Sequence, residues 1–79
     1  MRMTKQRKEI VEQMKAGAYM VVSYSEDSKF SYSLENATKL FSEDVLSRAY
    51  TAFYQADVLK VYEDVLFKGM SQSFGWKGK

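Results

Sequence analysis

Hydrophobic and polar positions follow two different periods along this chain, and each period indicates a different kind of element. The first apolar stripe at helical spacing consists of Ile10, Val11 and Met14. Thr4 precedes this stripe and Gly17 follows it, and these residue types favour the start and the end of a helix. The pattern predicts a helix over 5–16.

The next segment changes to the two-residue period of a β-strand. Residues 18–24 are rich in strand-forming side chains, and residues 25–28 have the polar composition of a turn. Residues 30–34 then alternate strictly, which places three side chains on one face, namely Phe30, Tyr32 and Leu34. We expect an antiparallel hairpin here.

A second helix is predicted from the N-cap residue Ser42 to Gln55 or Ala56. Phe41 is placed to pack on Leu46 as a hydrophobic staple across the N-cap. The inward positions of this helix are Val45, Leu46, Ala49, Ala52 and Phe53. This amphipathic pattern is typical of a helix that packs on a sheet.

Residues 57–68 fit both a helical and a strand period. Their β-branched and aromatic content, and the glycines that follow, favour strands, while a helix stays the alternative. We predict a strand over 58–63, a loop over 64–69 and a final strand over 70–76. Residues 75–79 are expected to fray at the end of the chain.

Together these elements predict one α+β domain in the order α-β-β-α-β-β, with two helices packed on antiparallel hairpins. The 79 residues are 46% hydrophobic and 28% charged, which is typical of a globular chain with a single core. A domain of this size has little stability to spare, and without cysteine it forms no disulfide. Aromatic packing, or self-association as a homodimer, is the expected source of added stability.

The sequence contains no His and no Cys, so the usual transition-metal ligands, general base and thiolate nucleophile are missing. It also has no glycine-rich phosphate loop. The adjacent carboxylates Glu26-Asp27, Glu43-Asp44 and Glu63-Asp64 fall in a predicted turn, cap and loop, where acidic residues are common for local reasons. We therefore expect a protein that is not an enzyme and uses no cofactor or metal.

No apolar run is long enough for a signal peptide or a membrane span. The absence of cysteine agrees with a reducing compartment. These features predict a cytoplasmic protein without a membrane partner.

The net charge of +2 is unevenly distributed, because both ends of the chain are basic and the middle is acidic. The first predicted helix begins with Lys5, Arg7 and Lys8, which oppose the positive end of the helix dipole. Cations at the unfavourable end of a helix dipole indicate either a binding role for these side chains or simply a solvated charged face.

The layout as a whole resembles that of small phage and prophage accessory proteins that look like trimmed winged-helix domains. The segments that carry the resemblance are the helix from Thr4 to Gly17, the hairpin over 18–34, the capped helix from Phe41-Ser42 to Phe53, and the closing pairs Val58-Leu59 and Ser73-Phe74. The chain departs from the group at Ala56-Asp57, where a glycine is usual. The resemblance implies a winged-helix-like fold and a location in the cytoplasm of a host cell, and most such proteins have no assigned activity.

The first functional hypothesis is nucleic-acid binding by a regulator. The residues expected to contact bases, on the outer face of the second helix, are Ser47, Arg48, Thr51, Tyr54 and Gln55. The residues expected to neutralise phosphates are Lys5, Arg7, Lys8 and Lys15, joined by Lys68, Lys77 and Lys79. Glu43-Asp44 at the start of the second helix opposes this hypothesis, as does an isoelectric point near 8.9. The alternative for this face is a polar surface in water.

The second hypothesis is binding to a host protein, as an anti-defence inhibitor of the anti-CRISPR type or an adaptor. Six Tyr, five Phe and one Trp exceed what so small a core holds. The expected interface residues are Tyr24, Phe67, Met70, Phe74 and Trp76, with Tyr19 as a further exposed ring. The alternative for Phe74 and Trp76 is that they close the core from the last strand. The residues leave open whether the partner is DNA, RNA or protein.

Overall fold

The computed structural model describes residues 1–63 and 71–78 of the chain. Its elements are α1 (Lys5–Lys15), β1 (Tyr19–Tyr24), β2 (Phe30–Glu35), α2 (Glu43–Gln55), β3 (Leu59–Glu63) and β4 (Ser71–Trp76). The α+β class is confirmed, and the ambiguous segment forms a strand over Leu59–Glu63. The loop predicted over 64–69, and Met70 as the start of the last strand, lie outside the described residues.

The predicted capping residues explain where both helices begin. The Oγ1 atom of Thr4 accepts a hydrogen bond from the backbone N–H of Arg7 at 3.1 Å, and the Oγ atom of Ser42 accepts one from Val45 at 3.2 Å. Each bond satisfies one of the N–H groups that a helix leaves unpaired in its first turn. Gly17, just after α1, has a φ of 120°, a conformation that side chains disfavour, so the chain turns there into β1.

The four strands form one antiparallel sheet in the order β2-β1-β4-β3. The pairing of β1 with β4, in which Met20 faces Phe74, joins the two hairpins into a single layer. This arrangement does not confirm the winged-helix-like layout that the resemblance implied. It also corrects the expectation of a frayed end, because Gly75 and Trp76 belong to β4, and the N–H of Lys77 donates to the carbonyl of Val58 at 2.7 Å.

One face of the sheet carries the core. The strand registers place Met20 beside both Leu34 and Phe74, and Leu59 beside Trp76. Both helices pack on this face through their apolar stripes. The buried core residues are Ile10, Val11, Met14, Met20, Leu46, Ala49, Phe53, Val58, Leu59 and Phe74. We call this side of the sheet the covered face.

The β2 edge of the sheet is blocked by a side chain. The backbone N–H of Tyr32, in β2, donates to the Oε2 atom of Glu43 at 2.9 Å. Glu43 is the first residue of α2, so the start of this helix lies along the edge strand. An occupied N–H offers one fewer site for pairing with another chain.

The opposite side, which we call the open face, has no helix of the described chain packed on it. Serines occupy much of this face in the three strands β1, β2 and β4, namely Ser23, Ser31, Ser33, Ser71 and Ser73, and Tyr19, Val21 and Glu35 share the face with them. A bulge in β3 lies between Val61 and Glu63. The ring of Tyr62 lies directly on Gly75, and a Cβ atom at position 75 would collide with it. The absence of a side chain at Gly75 therefore leaves room for the ring of Tyr62.

A candidate nucleic-acid interface around the second helix

A cleft of about 590 Å³ lies between the N-terminal segment, the start of α1 and the outer side of α2. Its polar lining consists of Arg2, Arg7, Ser47, Arg48, Thr51 and Gln55. We call it the arginine cleft. Guanidinium groups, hydroxyls and an amide in one recess are suited to binding an oxyanion such as a phosphate.

The amphipathic pattern of α2 explains why its polar side chains meet in this cleft. Leu46, Ala49 and Phe53 are buried in the core. Ser47 and Thr51 are four residues apart, so they lie on the same side of the helix. Because the core takes up the opposite side, this pair lies on the outer side. The hydroxyl of Thr51 donates to the carbonyl oxygen of Ser47 at 3.0 Å, which orients the Thr51 hydroxyl along the helix.

The N-terminal segment is held against α1 by an arginine. The Nη1 atom of Arg7 donates to the carbonyl oxygen of Arg2 at 2.7 Å. This bond keeps two arginine residues on the same side of the cleft. The N-terminus of α1 is also here, so the positive end of its dipole adds to the attraction for anions.

One acidic side chain lies close to these arginines. The Nε atom of Arg48 is 3.4 Å from the Oδ2 atom of Asp44, and both side chains are about 70% exposed, at 73% and 70%. An ion pair this exposed contributes little to stability and exchanges readily for another anion. Arg48 is therefore available to a phosphate, while Asp44 weakens the net positive field.

The structure brings together five of the residues expected to contact a nucleic acid and separates the others from them. Arg7 and the α2 residues other than Tyr54 line the arginine cleft. Lys5 and Lys8 are exposed on α1 outside that lining. Lys15 lies at the far end of the helix, about 15 Å from Lys5 along the helix axis at 1.5 Å per residue.

Among the expected tail cations, Lys77 pairs with Asp57 at 3.1 Å, and Lys68 and Lys79 lie outside the described residues. Arg2 is a member of the cleft that sequence reasoning left out. Its only signal was the basic N-terminal segment, which gave no reason to choose it over neighbouring cations.

A continuous row of rings runs along the other flank of α2. The centroid distances are 4.9 Å for Tyr24–Phe30, 6.4 Å for Phe30–Tyr32, 5.7 Å for Tyr32–Tyr50 and 5.7 Å for Tyr50–Tyr54. We call these residues the aromatic strip. Burial raises the pKa of Tyr50 above its ordinary value, and the neighbouring phenols of Tyr54 and Tyr32 raise the pKa further. The strip is thus anchored at its centre and open at both ends.

The residues expected at a protein interface are separated by the fold. Tyr24 is 38% exposed and belongs to the aromatic strip. Phe74 is buried in the core at 3% exposure, so its expected place on a partner surface is wrong, because β4 is a central strand under the helices. Trp76 is half-buried, with its ring 5.2 Å from that of Phe53 in an edge-to-face contact, so the core alternative holds for both. Phe67 and Met70 lie outside the described residues.

The further ring expected to be exposed, Tyr19, is half-buried on the open face, 6.0 Å from the ring of Tyr62. It therefore lies across the sheet from the aromatic strip, on the side that carries the serines. Tyr19 and Tyr24 do not form one surface.

Within residues 1–63 and 71–78, no three acidic, His or Cys side chains come together in a way that would hold a metal ion. Neither helix of the described chain has the length and apolarity needed to cross a membrane.

Comparison with known proteins gives no match: no protein-family model, no curated protein and no solved structure is significantly similar to the chain. The geometry of the arginine cleft and the aromatic strip therefore carries the functional argument.

Proposed function

We propose that this protein binds nucleic acid through the arginine cleft, as a small accessory or regulatory protein. The observation that carries the proposal is the convergence of Arg2, Arg7 and Arg48, from three separate places in the chain, on one recess. Guanidinium groups match the geometry of phosphate oxygens, and hydroxyl and amide groups donate to the same oxygens.

The contact begins with exchange of one anion for another. A backbone phosphate replaces Asp44 as the partner of Arg48, because that ion pair is exposed and weak. Arg7 then contributes its remaining N–H groups, since its Nη1 atom already donates to Arg2. Thr51 and Gln55 add polar contacts beside the phosphate. Lys5 and Lys8 attract the polymer from a distance.

The proposal predicts a binding constant that depends on salt. Each phosphate neutralised lowers the slope of log K against log salt by about 0.9 on duplex DNA and about 0.7 on a single strand. With three arginines in the cleft, a slope of about −2 to −3 is expected. Asp44, beside Arg48, keeps the affinity moderate.

Fluorescence anisotropy with labelled oligonucleotides, measured between 50 and 200 mM salt as about the useful range, tests this directly. Arg7→Gln/Arg48→Gln should weaken binding about tenfold or more at low salt and make the slope shallower by about 2. The matched control Lys15→Gln/Lys60→Gln removes the same charge outside the cleft and should change binding less. Equal losses in the two double variants would mean that general charge, and not the cleft, binds the polymer.

The alternative, inhibition of a host protein, has less support from the described residues. Of its expected interface residues, Phe74 lies in the core and Trp76 packs against Phe53. Tyr24 alone among the described ones offers a substantial exposed ring. The arginine cleft, which combines charge and polarity, favours a polyanion over an apolar protein surface.

A further inference from the structure

We propose that the aromatic strip receives unpaired bases, so that the preferred ligand is single-stranded nucleic acid. This inference rests on the proposed function and specifies its ligand. The phosphates lie in the arginine cleft on one flank of α2, and the bases that follow along the strand stack on the rings of the other flank.

Two rings of the strip, one on each side of its half-buried centre, are available to a ligand. Tyr54 is 63% exposed and Phe30 is 58% exposed. Tyr32 and Tyr50 are half-buried between them and pack on the core, where Tyr50 lies 5.2 Å from the ring of Phe74. Exposed rings held on a rigid support stack bases with little loss of conformational freedom on binding.

The strip and the cleft are parts of one surface because both are built on α2. Gln55 lines the cleft and its chain neighbour Tyr54 ends the strip; Thr51 lines the cleft and its neighbour Tyr50 lies in the strip. Successive residues of a helix point about 100° apart, and a helix with side chains is about 10 Å across. A single-stranded nucleic acid that crosses α2 therefore passes from the arginines to the rings within a few nucleotides.

The charges beside the strip permit an anion to approach. Acidic side chains at its margin are already engaged: Glu43 accepts from the N–H of Tyr32, Asp57 pairs with Lys77, and Asp27 accepts from the hydroxyl of Ser25. Lys29 is exposed next to Phe30. The cationic partner of Asp57, Lys77, and the exposed Lys29 leave the strip less repulsive than the acidic composition of this segment suggests.

The rings also decide between a single strand and a duplex. In a duplex the base faces are stacked on one another and are not offered to a protein ring. A duplex would reach the arginines through its phosphates and would leave the strip unused. Single-stranded ligands gain the stacking contacts in addition, and each stacked base corresponds to roughly fivefold to a hundredfold in affinity.

The test compares a labelled oligothymidine with a duplex of equal length, by anisotropy, for the wild type and for Phe30→Ser/Tyr54→Ser. We expect the wild type to prefer the single strand by about tenfold or more, and the double variant to lose that preference while its duplex binding is unchanged. The matched control is Tyr62→Ser, which removes an exposed ring from the open face and should alter neither affinity.

A second pair of variants separates stacking from simple apolar contact. Phe30→Leu/Tyr54→Leu keeps apolar surface at both positions but removes the flat rings. Stacking predicts that the leucine variant loses the single-strand preference as the serine variant does. Because both positions are exposed, thermal unfolding is expected to show all these variants folded.

The outcomes distinguish the two proposals. If single-strand and duplex binding are both lost in Arg7→Gln/Arg48→Gln, but the ring variants behave as wild type, the strip inference is overturned and the proposed function stands. If the cleft variant binds as wild type does, the proposed function fails. Wild-type protein that binds neither ligand at low salt overturns both, and would turn attention to the strip as a surface for a protein.

Discussion

The two faces of the sheet are built from opposite kinds of side chain. The covered face places Met20 and Phe74, at 1% and 3% exposure, under both helices. The open face places serines in three neighbouring strands, and the rings of Tyr19 and Tyr62 lie together beside them, with Tyr62 over Gly75. The buried core of the described residues therefore lies on one side of the sheet, and we expect most of the stability to come from that side.

The position of the core also determines where surplus rings stay exposed. Large apolar side chains are needed on the covered face to form the only core that the described chain contains. Where that face extends past the helices, the excess rings form the aromatic strip. The proposed binding surface therefore borders the core on the same side of the sheet, and we expect the open face to be the more tolerant of substitution.

The largest expected effect is removal of a ring from the covered face. Phe53→Ala, at a position that is 0% exposed, leaves a cavity beside Trp76 in the core and should lower the free energy of unfolding by about 3 to 5 kcal/mol. Urea unfolding measures this. Tyr62→Ala, which removes a ring from the open face, is the matched control and should cost much less. Similar losses for the two variants would contradict the division between the faces.

A smaller effect is expected where the open face holds a ring. Gly75→Ala should push the ring of Tyr62 off β4, because the new Cβ atom takes its place. In a Tyr62→Ala background the same change should be neutral or stabilising, since glycine is itself unfavourable within a strand. A double-mutant cycle by urea unfolding should give a coupling of about 1 kcal/mol. Additive effects would show that the packing of the Tyr62 ring does not depend on a glycine at position 75.

At the margin of the covered face, Tyr50 should make stability fall in alkaline solution. Because burial raises its pKa in the folded state, the unfolded chain loses the Tyr50 proton first as pH rises above about 10. This contribution is complete below the unfolded pKa and is lost as pH rises through the folded pKa. Tyr50→Phe should make the alkaline fall of stability shallower, measured by urea unfolding from pH 8 to about 11. An unchanged slope would contradict a raised pKa.

The smallest expected effect is a change of hydroxyl residue on the open face. Ser31→Thr, in the edge strand β2, keeps the hydroxyl and adds a methyl group that favours strand conformation. Its effect on the free energy of unfolding should be stabilising and within about 0.5 kcal/mol. A loss of more than this in thermal unfolding would indicate that something presses closely on the open face.

Much of the local structure could be predicted from short-range signals. Thr4 and Ser42 cap the helices as their residue types suggest, and the alternation over 30–34 marks a real strand. The ambiguous segment was assigned correctly for Leu59–Glu63 because its β-branched side chains fit a pleated surface. These features depend on neighbours a few residues away.

The candidate site was predictable only in part. The outer face of α2 follows from helix periodicity, so Ser47, Arg48, Thr51 and Gln55 were found from the sequence. Arg2 was missed because its position depends on the bond from Arg7 and on the approach of α1 to α2. Tyr24 was assigned to a protein interface, but its contact with Phe30 places it in the aromatic strip.

By itself the sequence determined the kinds of element, their order along the chain, the capping residues and the α+β class, because hydrophobic period and cap chemistry act within one helix turn or one strand. Tertiary structure alone decided that β4 lies between β1 and β3, that Phe74 is in the core, and that the ring of Tyr62 packs on Gly75. These outcomes depend on pairing between distant segments such as Met20 and Phe74. Such pairing is chosen by the burial of the whole apolar surface, which no local pattern records.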